Sequence, residues 1–358
     1  MKDVKQLYNS FDNSFNQSYE YFEIQMSWED TMTNIPMVAV AAFVALATTV
    51  PAADAQEKTL RYAIQNPEGH VTAQVANEFA RVLSEETDGA IAVQLYAGGQ
   101  LGSVQDVTQS VQLGAIDMTI VRPGQVADLG AVEFNALSLP YIFSSDAQQD
   151  AVLFGDVGER ILATLEPLDL HGVGFYRDLP RHFFFTDTPV KSIADMKGLR
   201  IRSLTSELAV DTIAAFGAAP TPMAFSELYG ALQSGIVDGA DQPLTGFAAQ
   251  RYQEVAKHII LDGHDASPII VLMSERTWSA LTPEQQVAVN TAHRAAADLF
   301  VKLNDESVTA VRAELEAAGV SIVDVEDIKP WQEATADLIA EYGTAFPDLI
   351  DAIRATNP

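Results

Sequence analysis

No glycine or proline interrupts the chain between Pro283 and Gly319. Thr282-Pro283-Glu284-Gln285 opens that stretch as a helix start: a capping Thr, proline at the first helical position and Gln at the third. A helix over 283–318 has 36 residues and, at about 1.5 Å each, runs roughly 54 Å. The chain has 358 residues, enough for two lobes or one large domain. The helix is longer than either of two such lobes would be wide, which makes it a strut rather than an ordinary packing element.

Hydrophobic residues are 48% and charged residues 20%, the balance of a globular chain. There is no cysteine, which excludes disulfides, thiolate zinc sites and cysteine nucleophiles together. Residues 35–50, IPMVAVAAFVALATTV, form an uncharged apolar block followed by Ala53-Asp54-Ala55. The block is shorter than the roughly 20 residues that comfortably span a bilayer. It reads as a secretory signal peptide, with an atypical N-terminal extension over the rest of 1–55 and a mature chain from near Gln56. Lys2 and Lys5 are the only cations before the block, so translation starting at Met26 or Met32 is the alternative. The formal net charge is -28. Two lysines face seven acids in 1–55, which leaves about -23 on the remainder. So acidic a surface repels nucleic acid and anionic lipid. It also makes any cluster of arginines informative.

From Leu60 onward strand and helix patterns alternate, which favours a mostly parallel sheet in each half. Residues 196–243 show the pattern most densely. They read as a strand at Gly198–Arg202, a helix capped by Ser206, a Pro-flanked turn at Pro220–Pro222, a helix near Ser226–Ser234, and a strand from Ile236 into Asp238–Gln242. Val111–Asp117 echoes Leu232–Asp238: helix, glycine stop, buried strand, aspartate. The echo suggests two similar α/β lobes with a ligand cleft beyond the strand ends.

The motifs DMKGLRIR, GAAPTPMAFSELYGALQSGIVDGADQP and SERTWSALTPEQQ occur in that order. With weaker similarity from about Lys58 to Phe346, they resemble the substrate-binding proteins of TRAP transporters. The resemblance implies an α/β, two-lobed periplasmic-binding-protein-like fold with a long helix spanning both lobes. It divides the chain into lobe I at 56–179 with 268–307, and lobe II at 180–267 with 308–358, crossing near Leu179 and Ser267. It implies a monomeric periplasmic receptor for a small organic acid, a C4-dicarboxylate or sugar acid. That receptor would deliver its ligand to a small and a large membrane subunit, with no cofactor and no nucleic-acid partner.

Arg177, Arg181, Arg200 and Arg202 fall within 26 residues of an otherwise acidic chain. A guanidinium matches a carboxylate with a planar fork and stays charged at any working pH. Alternation puts Arg200 and Arg202 on one strand face. Spacing alone favours ordinary ion pairs with acids such as Asp178, Asp187 or Asp195. The resemblance reverses this for Arg202, which matches the arginine that clamps the substrate carboxylate. It places a second basic position at Arg181-His182; both stay candidates, with Arg181 preferred. Phe225 and Gln242 match positions that stack on and hydrogen-bond the ligand. Gln65, Arg122 and Gln125 match cleft-facing positions of lobe I, with a salt bridge to Glu133 or another local acid as the alternative for Arg122. The six histidines show no metal spacing, and no P-loop, G-x-G-x-x-G or G-x-S-x-G motif occurs. A receptor is therefore expected rather than an enzyme. An ABC-type or sensor-linked binding protein, or a periplasmic enzyme acting on organic acids, would be the rival readings.

Overall fold

The computed structural model describes residues 58–357; the signal-peptide and cleavage expectations lie outside them. The strands among these residues are β1 (Lys58–Ala63), β2 (Ile91–Tyr96), β3 (Met118–Val121), β4 (Leu170–Tyr176), β5 (Arg181–Phe185), β6 (Arg200–Ser203), β7 (Ala219–Pro222), β8 (Gly239–Gln242), β9 (His258–Asp265), β10 (Ile269–Ser274) and β11 (Ser321–Asp324). They form two sheets, in the orders β2-β1-β3-β10-β4 and β11-β9-β5-β8-β6-β7. Each sheet carries helices and forms one lobe of a mixed α/β fold.

The sheets are mixed rather than mostly parallel. β1 pairs parallel with β2 and β3, and β6 with β7 and β8. β10 runs antiparallel to β3 and β4, and β5 antiparallel to β8 and β9. The cause is the exchange of chain between lobes. β4 leads directly into β5, and β9 directly into β10, in opposite directions. Tyr176 lies opposite Ile269 in one sheet and Arg181 opposite Asp265 in the other. The two crossover segments, 177–180 and 266–268, therefore run side by side. In β5 the run Phe183, Phe184 and Phe185 is buried on both faces. Phe184 enters one core of the second lobe; Phe183 and Phe185 enter the other.

The helix Pro283–Ala317 has 35 residues, or about 52 Å. Thr282 and Gln285 close its start reciprocally: Gln285 N–H donates to Thr282 Oγ1 at 3.3 Å and Thr282 N–H to Gln285 Oε1 at 3.0 Å. Its Ala288, Val289, Ala292, Ala296 and Phe300 pack in the core of the first lobe, and Leu315 in that of the second. The internal echo has a structural counterpart. Gly114 (φ +70°) and Gly235 (φ +68°) each end a helix in the left-handed region. Asp117 then accepts the backbone N–H of Arg61 at 2.8 Å and its Nε at 3.2 Å. Asp238 does the same for Arg200, at 2.8 and 3.0 Å.

Some local expectations are corrected. Pro220–Pro222 belongs to β7, not a turn; it is an edge strand, where proline's missing donor removes no ladder bond. The strand expected from Ile236 begins at Gly239, and Ile236 is exposed. Between β3 and β4 the chain forms the helices Asp146–Leu153 and Asp156–Leu162, broken at Gly155. The C-terminal segment does not belong wholly to the second lobe. Leu338, Phe346, Leu349, Ile350 and Ile353 pack in the first-lobe core with Val121, Ile270 and Leu272. The reason is amphipathic: these helices need an apolar face to cover, and the first lobe supplies it.

Gly239 opens β8 where a Cβ would sit 2.3 Å from the carbonyl oxygen of Phe184, a backbone atom that cannot yield. Gly239→Ala is expected to lower unfolding free energy by about 2 kcal/mol or more, the scale of overpacking. Gly69→Ala, with nothing within 4 Å of the added carbon, should change it by about 0.5 kcal/mol or less. Urea midpoints of the two variants check this; equal midpoints would contradict it.

Candidate functional site

Strand ends of both lobes converge on one cleft, as open α/β sheets arrange it. β1 delivers Gln65 and Asn66, β3 delivers Arg122 with Gln125 one turn beyond, and the helix Val104–Gln112 begins there at Ser103. From the second lobe β5 delivers Arg181, β6 Arg202, the chain after β7 Met223 and Phe225, and β8 Gln242. The cleft holds about 1020 Å³ of space between atoms, part of it open to solvent. Among its described lining residues, the charged side chains are the three arginines, and no carboxylate reaches the wall.

The three arginines differ in what already binds them. Arg181 is 2% exposed. It donates from Nε to Asp241 Oδ2 at 2.5 Å and from Nη2 to the Asp241 carbonyl at 2.8 Å, with Asp265 Oδ2 at 3.8 Å. Burial alone would lower its pKa, but Asp241 and Asp265 outweigh that and raise it. Arg122 donates to Asp178 Oδ2 and, at 2.8 Å, to the carbonyl of Ser267. Arg202 is 1% exposed. Its Nη2 donates to the Met223 carbonyl at 3.1 Å, while Nε and Nη1 are buried with no hydrogen-bond partner among the described residues. Burial pulls its pKa down to about 10, with Asp241 opposing and Arg181 adding to the pull. Arg202 is therefore cationic at neutral pH, lines the cleft, and pairs with no carboxylate among the described residues.

A second layer of charge lies behind the arginines. His264 is buried, stacks on Phe183 at 4.1 Å, and sits 2.6 Å from Asp262 Oδ2 and 3.6 Å from Asp241 Oδ2. Burial would lower its pKa, but Asp262 and Asp241 push it up to about 10. The resulting imidazolium and Arg181 hold Asp241 well below the usual carboxylate range despite its burial.

Seven of the eight expected site residues, Arg202, Arg181, Arg122, Phe225, Gln242, Gln65 and Gln125, share the cleft wall. His182 does not. Alternation along β5 turns it away from Arg181, and its Nδ1 accepts the N–H of Gly263 at 2.9 Å. Arg200 is exposed and paired with Asp238, and Arg177 sits among Asp146, Asp150 and Asp305. Arg122 has an acid partner, but it is Asp178, 56 residues along, not Glu133. Asn66, Ser103, Gln105 and Thr205 line the cleft without having been singled out. Their one signal is position, just past a strand end or at a helix start. Among the described residues no group of three or more His, Asp or Glu is placed to hold a metal ion.

Residues 62–344 match the family model described as bacterial extracellular solute-binding protein, family 7. The chain belongs to this family. A solute-binding protein of Roseobacter denitrificans is 34% identical over 304 residues, covering 85% of this chain and 92% of that one. A TRAP periplasmic solute-binding protein of Xanthobacter autotrophicus Py2, solved with β-D-galacturonate, superposes with TM-score 0.80 at 31% identity, covering 83% of this chain and all of that one. Another from Roseobacter denitrificans, solved with β-D-glucuronate, gives 0.80 at 31%, covering 84% and 100%. As a family 7 solute-binding protein of the TRAP type, the chain is a receptor and not an enzyme. No helix of its described residues is long and apolar enough to cross a membrane.

The buried histidines of this family 7 protein give its stability a pH signature. His264 is raised from 6.5 to about 10 in the fold. Its contribution is whole below pH 6.5 and is lost as pH rises through about 10. His182 and His293 are lowered by burial from 6.5 to about 4, so stability also falls as pH drops from 6.5 toward 4. Urea midpoints should therefore peak near neutrality. His264→Gln should flatten the alkaline limb and leave the acid limb in place; an unchanged alkaline slope would contradict the assignment.

Proposed function

We propose that the chain is the periplasmic receptor of a TRAP transporter and that it binds the monoanion of a sugar acid, carboxylate on Arg202, between its lobes. The observation that carries this is the pair of buried, unpartnered nitrogens on the Arg202 guanidinium. Leaving such donors unsatisfied costs about 1–3 kcal/mol per group. A carboxylate supplies two acceptors and a counter-charge at once, and the second N–H of Nη2 allows a parallel pair. Arg181 and Arg122 already hold aspartates, so one net positive charge faces the ligand. The rest of the wall mixes amides and hydroxyls, from Gln65, Asn66, Ser103, Gln105, Gln125, Thr205 and Gln242, with apolar side chains that include Val104, Ile120, Leu204, Met223, Phe225 and Ile269. That mixture suits a polyhydroxylated body carrying one carboxylate better than a short dicarboxylate. The galacturonate and glucuronate bound in the two solved relatives fit the same description. The lobes would close over the ligand about the two crossovers, and the closed form would dock on two membrane subunits.

Arg202→Ala is expected to weaken D-galacturonate binding by about 30-fold or more, the lower end of the cost of removing one partner of a desolvated charge pair. Arg202→Lys should recover part of this, because an ammonium cannot make the two-bond contact. Calorimetry on the folded variants decides. Wild-type affinity in Arg202→Ala, or no response of the wild-type melting temperature to any uronate or aldonate, would overturn the reading.

A further inference from the structure

Arg122 reaches the cleft wall, yet its guanidinium is bound to the two crossovers between the lobes. One nitrogen holds Asp178 of the first crossover, and another donates to the Ser267 carbonyl of the second at 2.8 Å. Asp178 does not line the cleft and is 6% exposed. Its other oxygen accepts the N–H of Leu179 at 2.9 Å. We propose that Asp178 determines the charge selectivity of the site: by holding Arg122 on the crossovers, it makes the cleft accept one negative charge and reject two.

The proposal rests on the sugar-acid reading above and adds the residue that sets which sugar acids fit. A ligand with carboxylates at both ends would place one on Arg202. The second, toward the first lobe, meets amides, a hydroxyl, and a guanidinium already neutralised. To use Arg122, that carboxylate must displace Asp178. It would then leave a buried aspartate with half its partners, a costly state. Asp178 also opposes it directly as a like charge. Both effects have the same sign. His70 feels the charges of both members of the pair, but burial lowers it to about 4, so it adds no cation that could relieve Asp178 at neutral pH. On the second-lobe side Arg181 is committed to Asp241 in the same way, so no other lining cation among the described residues can take the second carboxylate.

Calorimetry with D-galacturonate, which has one carboxylate, and galactarate, its six-carbon relative with two, tests this. The quantity to read is the ratio of the two affinities in each protein. The difference in ring form between the acids then cancels between proteins. The wild type should prefer galacturonate. Asp178→Asn should shift the ratio toward galactarate by about tenfold or more, and Asp178→Asn combined with Arg122→Met should lose that gain. An unchanged ratio in Asp178→Asn, or a gain that survives loss of Arg122, overturns the proposal. If Asp178→Asn does not fold, Arg122→Met alone still decides. It should shift both acids alike, to within about twofold; a selective loss of galactarate would mean that Arg122 already binds the second carboxylate. A wild type that binds neither acid overturns the sugar-acid reading and this proposal with it. Galacturonate binding with an unchanged ratio overturns this proposal alone.

Discussion

Burying a guanidinium costs free energy unless a carboxylate meets it, and three arginines stand around one cleft, Arg181 and Arg202 buried and Arg122 partly buried. Two of the three are met from within: Arg181 by Asp241, and Arg122 by Asp178. The third, Arg202, is met by one backbone carbonyl. The rest of the site depends on that asymmetry. Asp241 acts on Arg202 only through space, its close contacts being taken by Arg181 and the His264 imidazolium. Asp262 in turn keeps His264 charged. The second layer fixes the first, so the unmatched charge stands on the cleft wall.

The backbone makes the same point about placement. Two crossovers lying side by side join sheets whose strand ends face each other. The helix Pro283–Ala317 is anchored in the cores of both lobes. Residues far apart in the chain, such as Gln65, Arg122, Arg202 and Gln242, thereby share one wall. Arg122 ties that wall to the crossovers, so occupancy of the cleft and the geometry of the joint are physically connected.

Much of this was legible in the sequence where one residue's surroundings decide its fate. The long helix announced itself by its capping Thr and its lack of glycine and proline. Arg202 was legible through its motif alone, since strand alternation grouped it with Arg200, which pairs with Asp238 instead. The echo of Val111–Asp117 in Leu232–Asp238 pointed to two similar lobes, and the shared strand cap at Asp117 and Asp238 underlies it. What was not legible is pairing across distance. The Arg122–Asp178 pair spans 56 residues and Arg181–Asp241 spans 60, so no local pattern shows that these cations are neutralised while Arg202 is not. His182 shows the finer limit: one step along β5 separates a residue in the cleft from one turned away. The C-terminal helices were misplaced for the same reason, since amphipathic pattern says that a face is buried but not against which lobe.

The central claim is that the open donors of Arg202 are where the ligand's charge sits. A crystal structure of the protein with D-galacturonate tests it most directly. The account predicts the carboxylate oxygens within about 2.7–3.2 Å of at least two Arg202 nitrogens. It also predicts hydroxyls on the amides of the first lobe, and Arg181 still on Asp241. A carboxylate bound elsewhere in the cleft, with Arg202 turned to a protein acid, would contradict it.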